Sequence, residues 1–267
     1  MPAYNIYGVR LTESLAGMKL SLLGDSISAY AGTIPEGNAA YYTGSNSGVS
    51  SPDQMWWKVL CNKTGMTPLV INAWSGSGVT DPYAGQSTRV PMSDDSRCSA
   101  LNNGATKPDI ILIAGGVNDY SYAQDASSEP LEWDGATTPV ITNSFTEAYA
   151  CMVKKLLTNY PSAIIVALST FFTMRGTDNG YTLTHTVGSN TYTQADYNTA
   201  IENVAKIMHI PFVRVDSVGY NRSNMYPTFA IDYSDTPTHP NAEGQKLIGN
   251  YLADVLPVIV NAWNEKQ

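Results

Sequence analysis

The 267-residue chain has only 14% charged residues and a formal net charge of −8. It has no run of Lys or Arg, so it is a poor match to nucleic acid or anionic lipid, whose binding proteins cluster basic residues. No apolar stretch approaches the roughly 18 residues of a membrane span, and three widely spaced cysteines (Cys61, Cys98, Cys151) form neither a disulfide framework nor a zinc pattern.

The length permits one large domain, and at this size about 75% of the extended-chain surface is buried on folding. We read residues 1–267 as a single domain with 1–17 as an N-terminal extension. Polarity comes from Ser, Thr, Asn and 17 Tyr rather than from charge. Such a surface suits carbohydrate, which offers hydroxyls and apolar faces. It equally suits a secreted or particle-associated protein with a Lys-poor surface. The stretch Met1-Pro2-Ala3-Tyr4-Asn5-Ile6-Tyr7 lacks the basic start and apolar core of a signal peptide.

In chain order, Met18 to Leu23 reads as a strand. Gln54 to Lys63 reads as a helix with Asp53 as N-cap. Leu69 to Asn72 is a short strand. Asp109 to Ala114 reads as a strand whose run Ile110-Ile111-Leu112-Ile113 is continuously apolar, as a strand buried on both faces should be. Ser144 to Asn159 has helical spacing through Phe145, Ala148, Tyr149, Met152, Val153 and Leu156. Ala163 to Ser169 is a strand, Gln194 to His209 a helix, Pro211 to Val215 a fifth strand, and Asn241 to Val255 a final helix. Alternating strands and helices predict a doubly wound, three-layer α/β/α fold with a five-stranded parallel sheet. Cys61 and Cys151 fall in predicted helices and read as buried thiols.

Three long irregular segments, 28–51, 75–106 and 120–143, each follow the carboxyl end of a predicted strand. They should gather over one edge of the sheet, where clefts open in such folds. A fourth, 170–193, reads as a hairpin or a lid.

The residues that could do chemistry lie at those strand ends. Leu20-Ser21-Leu22-Leu23-Gly24-Asp25-Ser26-Ile27-Ser28 presents Ser26 just past a buried strand. A serine hydroxyl is a weak nucleophile until a base, itself oriented by a third group, activates it. Acyl transfer also needs donors for the developing oxyanion. Asn118, in Gly115-Gly116-Val117-Asn118-Asp119, can aim a neutral amide into the cleft. Asn72-Ala73-Trp74-Ser75-Gly76-Ser77-Gly78 frees backbone N–H groups that could serve the same end. His239, in Asp235-Thr236-Pro237-Thr238-His239-Pro240, sits in a Pro-rich turn and is the candidate base, with Asp235 as the candidate orienter. His185 and His209 read as structural or solvent-facing.

Together these segments resemble the SGNH hydrolase family, the GDSL esterases and lipases. Gly24-Asp25-Ser26-Ile27-Ser28 matches its first block, Asn72 through Gly78 is similar to the second, Gly116-Val117-Asn118-Asp119 matches the third, and the His239-Pro240 segment resembles the last. The resemblance implies a flavodoxin-like α/β/α fold and an acyl-enzyme mechanism with Ser26 as nucleophile and His239 as base. The implied oxyanion hole is the N–H of Ser26, the N–H of Gly76 and the amide of Asn118. No metal or organic cofactor is implied. Two departures stand out. The family's Asp lies three residues before the His, where this chain has Thr236. Asp235 is four before it, with Asp232 and Asp216 as substitutes. The block-two glycine is one residue short of the usual spacing at Gly76 and one long at Gly78.

The expected substrate is a small-molecule or glycan ester, with an O-acetyl group on carbohydrate favoured. Tyr30, Tyr41, Tyr42, Trp74, Tyr83, Tyr120 and Tyr122 flank the motifs and could stack on sugars. They could equally pack the loops. The alternatives are a lipase or lysophospholipase-type esterase, and a non-catalytic carbohydrate-binding module that retains the fold.

Overall fold

The computed structural model describes residues 15–45, 47–80, 89–121, 144–174, 184–187, 189–219, 221, 223–232 and 236–264. Its centre is a parallel five-stranded sheet in the order β2-β1-β3-β4-β7. The strands are β1 (Lys19–Gly24), β2 (Thr67–Ala73), β3 (Ile110–Ala114), β4 (Ile164–Leu168) and β7 (Phe212–Val213). Between β4 and β7, β5 (Thr184–Val187) and β6 (Asn190–Thr193) pair antiparallel as a hairpin, the first of the two readings of that segment.

The apolar runs sit in this sheet because both of its faces are covered. Leu20 and Leu22 of β1, Ile110 and Leu112 of β3, and Val166 of β4 pack into one core with Trp56, Leu60, Ile248 and Leu252. The alternate residues Leu23, Ile111, Ile113 and Ile165 pack into a second core with Phe145, Tyr149, Tyr197 and Ile201. Successive strand residues point to opposite faces, so the runs are apolar on both, apart from buried Ser21 of β1, whose hydroxyl donates to the Leu101 carbonyl at 2.9 Å. Helices α1 (Trp56–Thr64) and α6 (Ala242–Asn264) cover the first face, and α4 (Phe145–Asn159) and α5 (Gln194–Ile207) the second.

Several boundaries differ from the sequence reading, among them β2, which is longer than the expected Leu69 to Asn72. Residues Pro52–Gln54 form a separate 3-10 turn, and Ser51 caps it by accepting the Asp53 N–H at 3.0 Å. Asp53 is therefore inside that turn, and the helix starts at Trp56. The last helix runs through Pro257 to Asn264. A proline inside a helix ordinarily costs about 3 kcal/mol. Here the fully buried Leu256 and Val260 anchor the helix on both sides of it. Strand β7 is reduced to two residues, and α5 stops at Ile207, with His209 exposed at φ 54°. Two short helices, α2 (Asp95–Cys98) and α3 (Val117–Ser121), are too short to carry a periodic signal in the sequence. Cys61 in α1, Cys98 in α2 and Cys151 in α4 are all buried free thiols.

The register aligns the carboxyl ends of the central strands. Gly24 of β1 is opposite Ala73 of β2 on one side and Ala114 of β3 on the other. This row of small residues forms the floor on which the segments 25–42, 74–80 and 115–121 are built. Most of the third long segment, 122–143, lies outside the described residues.

Candidate active site

The chain leaves β1 at Gly24 and turns at once into a 3-10 turn, Ser26–Ser28. Asp25 caps the turn by accepting the Ile27 N–H at 2.9 Å. The fold-back explains the glycine. A Cβ on Gly24 would lie 2.8 Å from Ser28 Cβ and 2.9 Å from Leu22 Cδ1, closer than side chains tolerate. Trp57 Nε1 donates to the Ser28 carbonyl at 3.2 Å, and Trp56 Nε1 donates to Ser28 Oγ at 3.2 Å. The turn that presents Ser26 is thus pinned to α1.

His239 reaches this turn from the other end of the chain. Its Nε2 is 2.8 Å from Ser26 Oγ, and its Nδ1 is 2.6 Å from Asp232 Oδ2. Ser26 and His239 are both buried. Gln245 of α6 joins the two ends. Its Nε2 donates to the Ile27 carbonyl at 3.0 Å and to Tyr42 Oη at 2.9 Å, and the Tyr42 hydroxyl donates to the Pro240 carbonyl at 2.8 Å.

Asp235 lies outside the described residues. The carboxylate on the imidazole is that of Asp232, seven residues before the histidine. Its reach follows from the way the segment closes on itself. Asp232 Oδ1 accepts the N–H of Thr238 at 3.3 Å and of His239 at 3.1 Å, so the side chain folds the turn that carries the ring. Asp216, the other substitute, is engaged elsewhere, with Arg214 at 2.6 Å and Asn198 at 3.1 Å.

Asn118 is buried in α3, and its Nδ2 donates to the Ser77 carbonyl at 3.0 Å. Its amide therefore borders the 74–80 segment. That segment is tied down from beneath. Asp119 accepts from the N–H of Val79 at 2.9 Å, the N–H of Thr80 at 3.0 Å and the Thr80 hydroxyl at 2.8 Å. Gly78 backs directly onto this carboxylate, with its Cβ position 3.0 Å from Asp119 Oδ1. Gly76 sits one turn of chain earlier in the left-handed region at φ 79°, with the Arg89 guanidinium against it. Only a residue without a Cβ takes that backbone without strain.

One buried cation holds the floor together. Arg97 of α2 is 4% exposed. It donates to the Gly24 carbonyl at 3.2 Å, the Asn72 carbonyl at 2.7 Å, Asn72 Oδ1 at 3.1 Å, the Val90 carbonyl at 3.1 Å and Ser77 Oγ. The end of β1, the end of β2 and the 74–80 segment thus share one guanidinium. Burial pulls Arg97 down to about 10, so it keeps its charge near neutral pH. Asp25, fully buried, is pushed up to about 7, chiefly by burial and further by Asp119, against the Ile27 N–H that favours its charged form. Burial also raises Asp119, opposed by its bonds from Thr80 and Val79.

The aromatic residues divide. Tyr30, Tyr42 and Tyr120 are buried and pack the loops. Tyr83 and Tyr122 lie outside the described residues. Trp74 and Tyr41 are half-buried, and Tyr41 lies flat against the His239 ring, with centroids 3.4 Å apart and planes 11° from parallel. Neither Arg97 nor Tyr41 was singled out for these contacts by the sequence reading. One arginine in a four-residue helix and one ring among 17 tyrosines leave no pattern to find.

A three-layer α/β/α fold with a serine hydroxyl against an imidazole at the carboxyl edge of its sheet belongs to a class of folds that house hydrolytic enzymes. The chain matches the family described as GDSL-like Lipase/Acylhydrolase over residues 18–173. It belongs to that family and is a carboxylic ester hydrolase. No curated protein matches the sequence. Among solved structures, a GDSL-like lipase from Bacteroides ovatus superposes with a TM-score of 0.62 at 19% identity, covering 94% of this chain and 100% of that one. One from Bacteroides uniformis gives 0.63 at 21%, covering 90% and 96%. A family two carbohydrate esterase from Clostridium thermocellum, solved with cellohexaose, gives 0.58 at 18%, covering 91% and 65%. At these identities the superpositions speak for the fold.

Proposed function

We propose that the protein removes short acyl groups, acetyl above all, from carbohydrate through an acyl-enzyme on Ser26. The observation that carries this reading is the chain of contacts from Ser26 Oγ to His239 Nε2 at 2.8 Å and from His239 Nδ1 to Asp232 at 2.6 Å. His239 takes the Ser26 proton as the oxygen attacks the ester carbonyl. Asp232 holds the ring tautomer that leaves Nε2 free to accept, and its charge faces the imidazolium that forms. The tetrahedral oxyanion is met by the N–H of Ser26, the N–H of Gly76 and the amide of Asn118. Ser26 opens its turn, so its N–H has no partner within that turn. His239 then protonates the leaving alcohol. In the second half it draws a proton from water, which attacks the acyl-enzyme and releases the acid.

The preference for sugar esters is supported by the polar, charge-poor composition and by half-buried Trp74 beside the site. The carbohydrate esterases among the structural neighbours point the same way. The test is hydrolysis of p-nitrophenyl acetate by the native protein and by Ser26→Ala, followed by acetylated xylan against esters of increasing chain length. Loss of the rate in Ser26→Ala is expected. An unchanged rate would overturn the mechanism, and a preference for chains of eight or more carbons would overturn the sugar assignment.

A further inference from the structure

We propose that Tyr41 is a positioning residue for His239, fixing the plane of the imidazole and tuning its strength as a base through two separate contacts. The inference rests on the assignment of Ser26 and His239 above. The first contact is the flat stack, with ring centroids 3.4 Å apart and planes 11° from parallel. The second is a hydrogen bond from the Tyr41 hydroxyl to Asp232 Oδ2 at 3.3 Å. That oxygen is the one that meets His239 Nδ1. A single side chain therefore touches both the base and its orienting carboxylate.

The geometry makes the stack a mechanical stop. The imidazole must present Nε2 to Ser26 and Nδ1 to Asp232 at once, so it has one useful orientation about its Cβ–Cγ bond. A ring lying flat at van der Waals distance obstructs rotation out of that plane. Tyr41 is itself wedged. Tyr42 meets it edge-on at 5.0 Å and 85°, and Tyr42 is fully buried and bonded to the Pro240 carbonyl and to Gln245. The stop thus rests on the same network that joins α6 to the serine turn.

The two contacts pull the base in opposite directions. Among the described residues, the groups facing the imidazole include Asp232 on its own turn, Ser26 on the turn after β1, and Tyr41 and Tyr42 on the segment beyond it. The electron-rich face of the phenol ring favours the imidazolium by cation–π attraction, the more so because both rings are largely shielded from water. The phenol hydrogen bond draws charge from Asp232 and so disfavours the imidazolium. Tyr41→Phe removes the second contact and keeps the first. Tyr41→Leu removes both.

The experiment is an NMR titration of the His239 ring in the native protein, Tyr41→Phe and Tyr41→Leu, alongside kcat and KM for p-nitrophenyl acetate. The chain has three histidines, so the signal missing in His239→Gln assigns the resonance. The midpoint is expected to rise in Tyr41→Phe. In Tyr41→Leu it is expected to fall below the Phe variant by about one and a half pH units, the cation–π attraction of a desolvated ring expressed as protonation. The Phe variant keeps kcat within about threefold and the Leu variant loses about tenfold or more, with KM little changed, because only Leu frees the ring plane. If Tyr41→Leu does not fold, Tyr41→Met fills the space without a π face and carries the same expectation. Coincident midpoints in all variants, or equal loss of kcat in Phe and Leu, would overturn the inference. Because the titration reads the ring and not turnover, it decides the role of Tyr41 even if Ser26→Ala keeps full activity and the mechanism itself fails.

Discussion

Replacing Asp232 by Asn removes one charge and leaves the shape of the turn nearly intact. The carboxylate is 2.6 Å from His239 Nδ1, and both side chains are under a tenth exposed. The imidazolium of the transition state would then face a neutral amide. Two unit charges about 4 Å apart attract by about 4 kcal/mol at an effective dielectric near 20. That is about three decades of rate, and a wrong ring tautomer adds to it, since Asp→Asn in a triad costs about 10⁴. Asn keeps an oxygen that can accept the N–H groups of Thr238 and His239, so the fold should survive. We expect kcat for p-nitrophenyl acetate to fall by about 10³–10⁴ in Asp232→Asn, with a calorimetric Tm within a few degrees of native. Asp235→Asn should stay within about twofold. A loss under tenfold in the first variant, or an equal loss in the second, would refute the assignment of Asp232.

Asn118→Ala should lower kcat by about 10²–10³ with little change in KM, the usual cost of one oxyanion donor, read from steady-state kinetics on the same ester. Arg97→Met strands the carbonyls of Gly24, Asn72 and Val90 in a buried site. Each stranded acceptor costs about 1–3 kcal/mol, so a total of at least about 3 kcal/mol corresponds to a Tm lower by about 6 °C or more for a chain of this size, checked by calorimetry. Asp25 is pushed up from 3.8 to about 7, so between those pH values the unfolded chain ionises and the folded one does not. Its contribution to stability is complete below about pH 4 and is lost as pH rises through about 7. Asp25→Asn, which retains an acceptor for the Ile27 N–H, should therefore raise Tm at pH 8 and change it little at pH 4, measured as melting curves at the two pH values.

Much of this molecule is readable from its residues because strand ends are chemically loud. Continuous apolar runs identify β3 and β4, a Leu-rich run interrupted by Ser21 identifies β1, and a Gly or Asn just past β1 and β3 marks where the backbone reaches the cleft. Ser26 and Asn118 are found that way. The orienting carboxylate is less legible, because chain distance is a weak proxy for reach. Asp232 is seven residues from His239, and its bonds to the backbone of Thr238 and His239 help to bring it back. Arg97 and Tyr41 act through three-dimensional contacts between segments far apart in sequence, and no local spacing encodes them. The extension of α6 past Pro257 has a similar cause, since burial of Leu256 and Val260 outweighs a local rule.

Ser26 and His239 are separated by 213 positions along the chain, and Gln245, which latches their two turns, lies 218 positions beyond Ile27. Closing so long a loop carries an entropic cost, and it should follow the formation of local helices and neighbouring strands. Hydrolytic competence in this protein should therefore arrive last during refolding, well after the recovery of helical circular dichroism. Turnover is then a reporter of the completed native state.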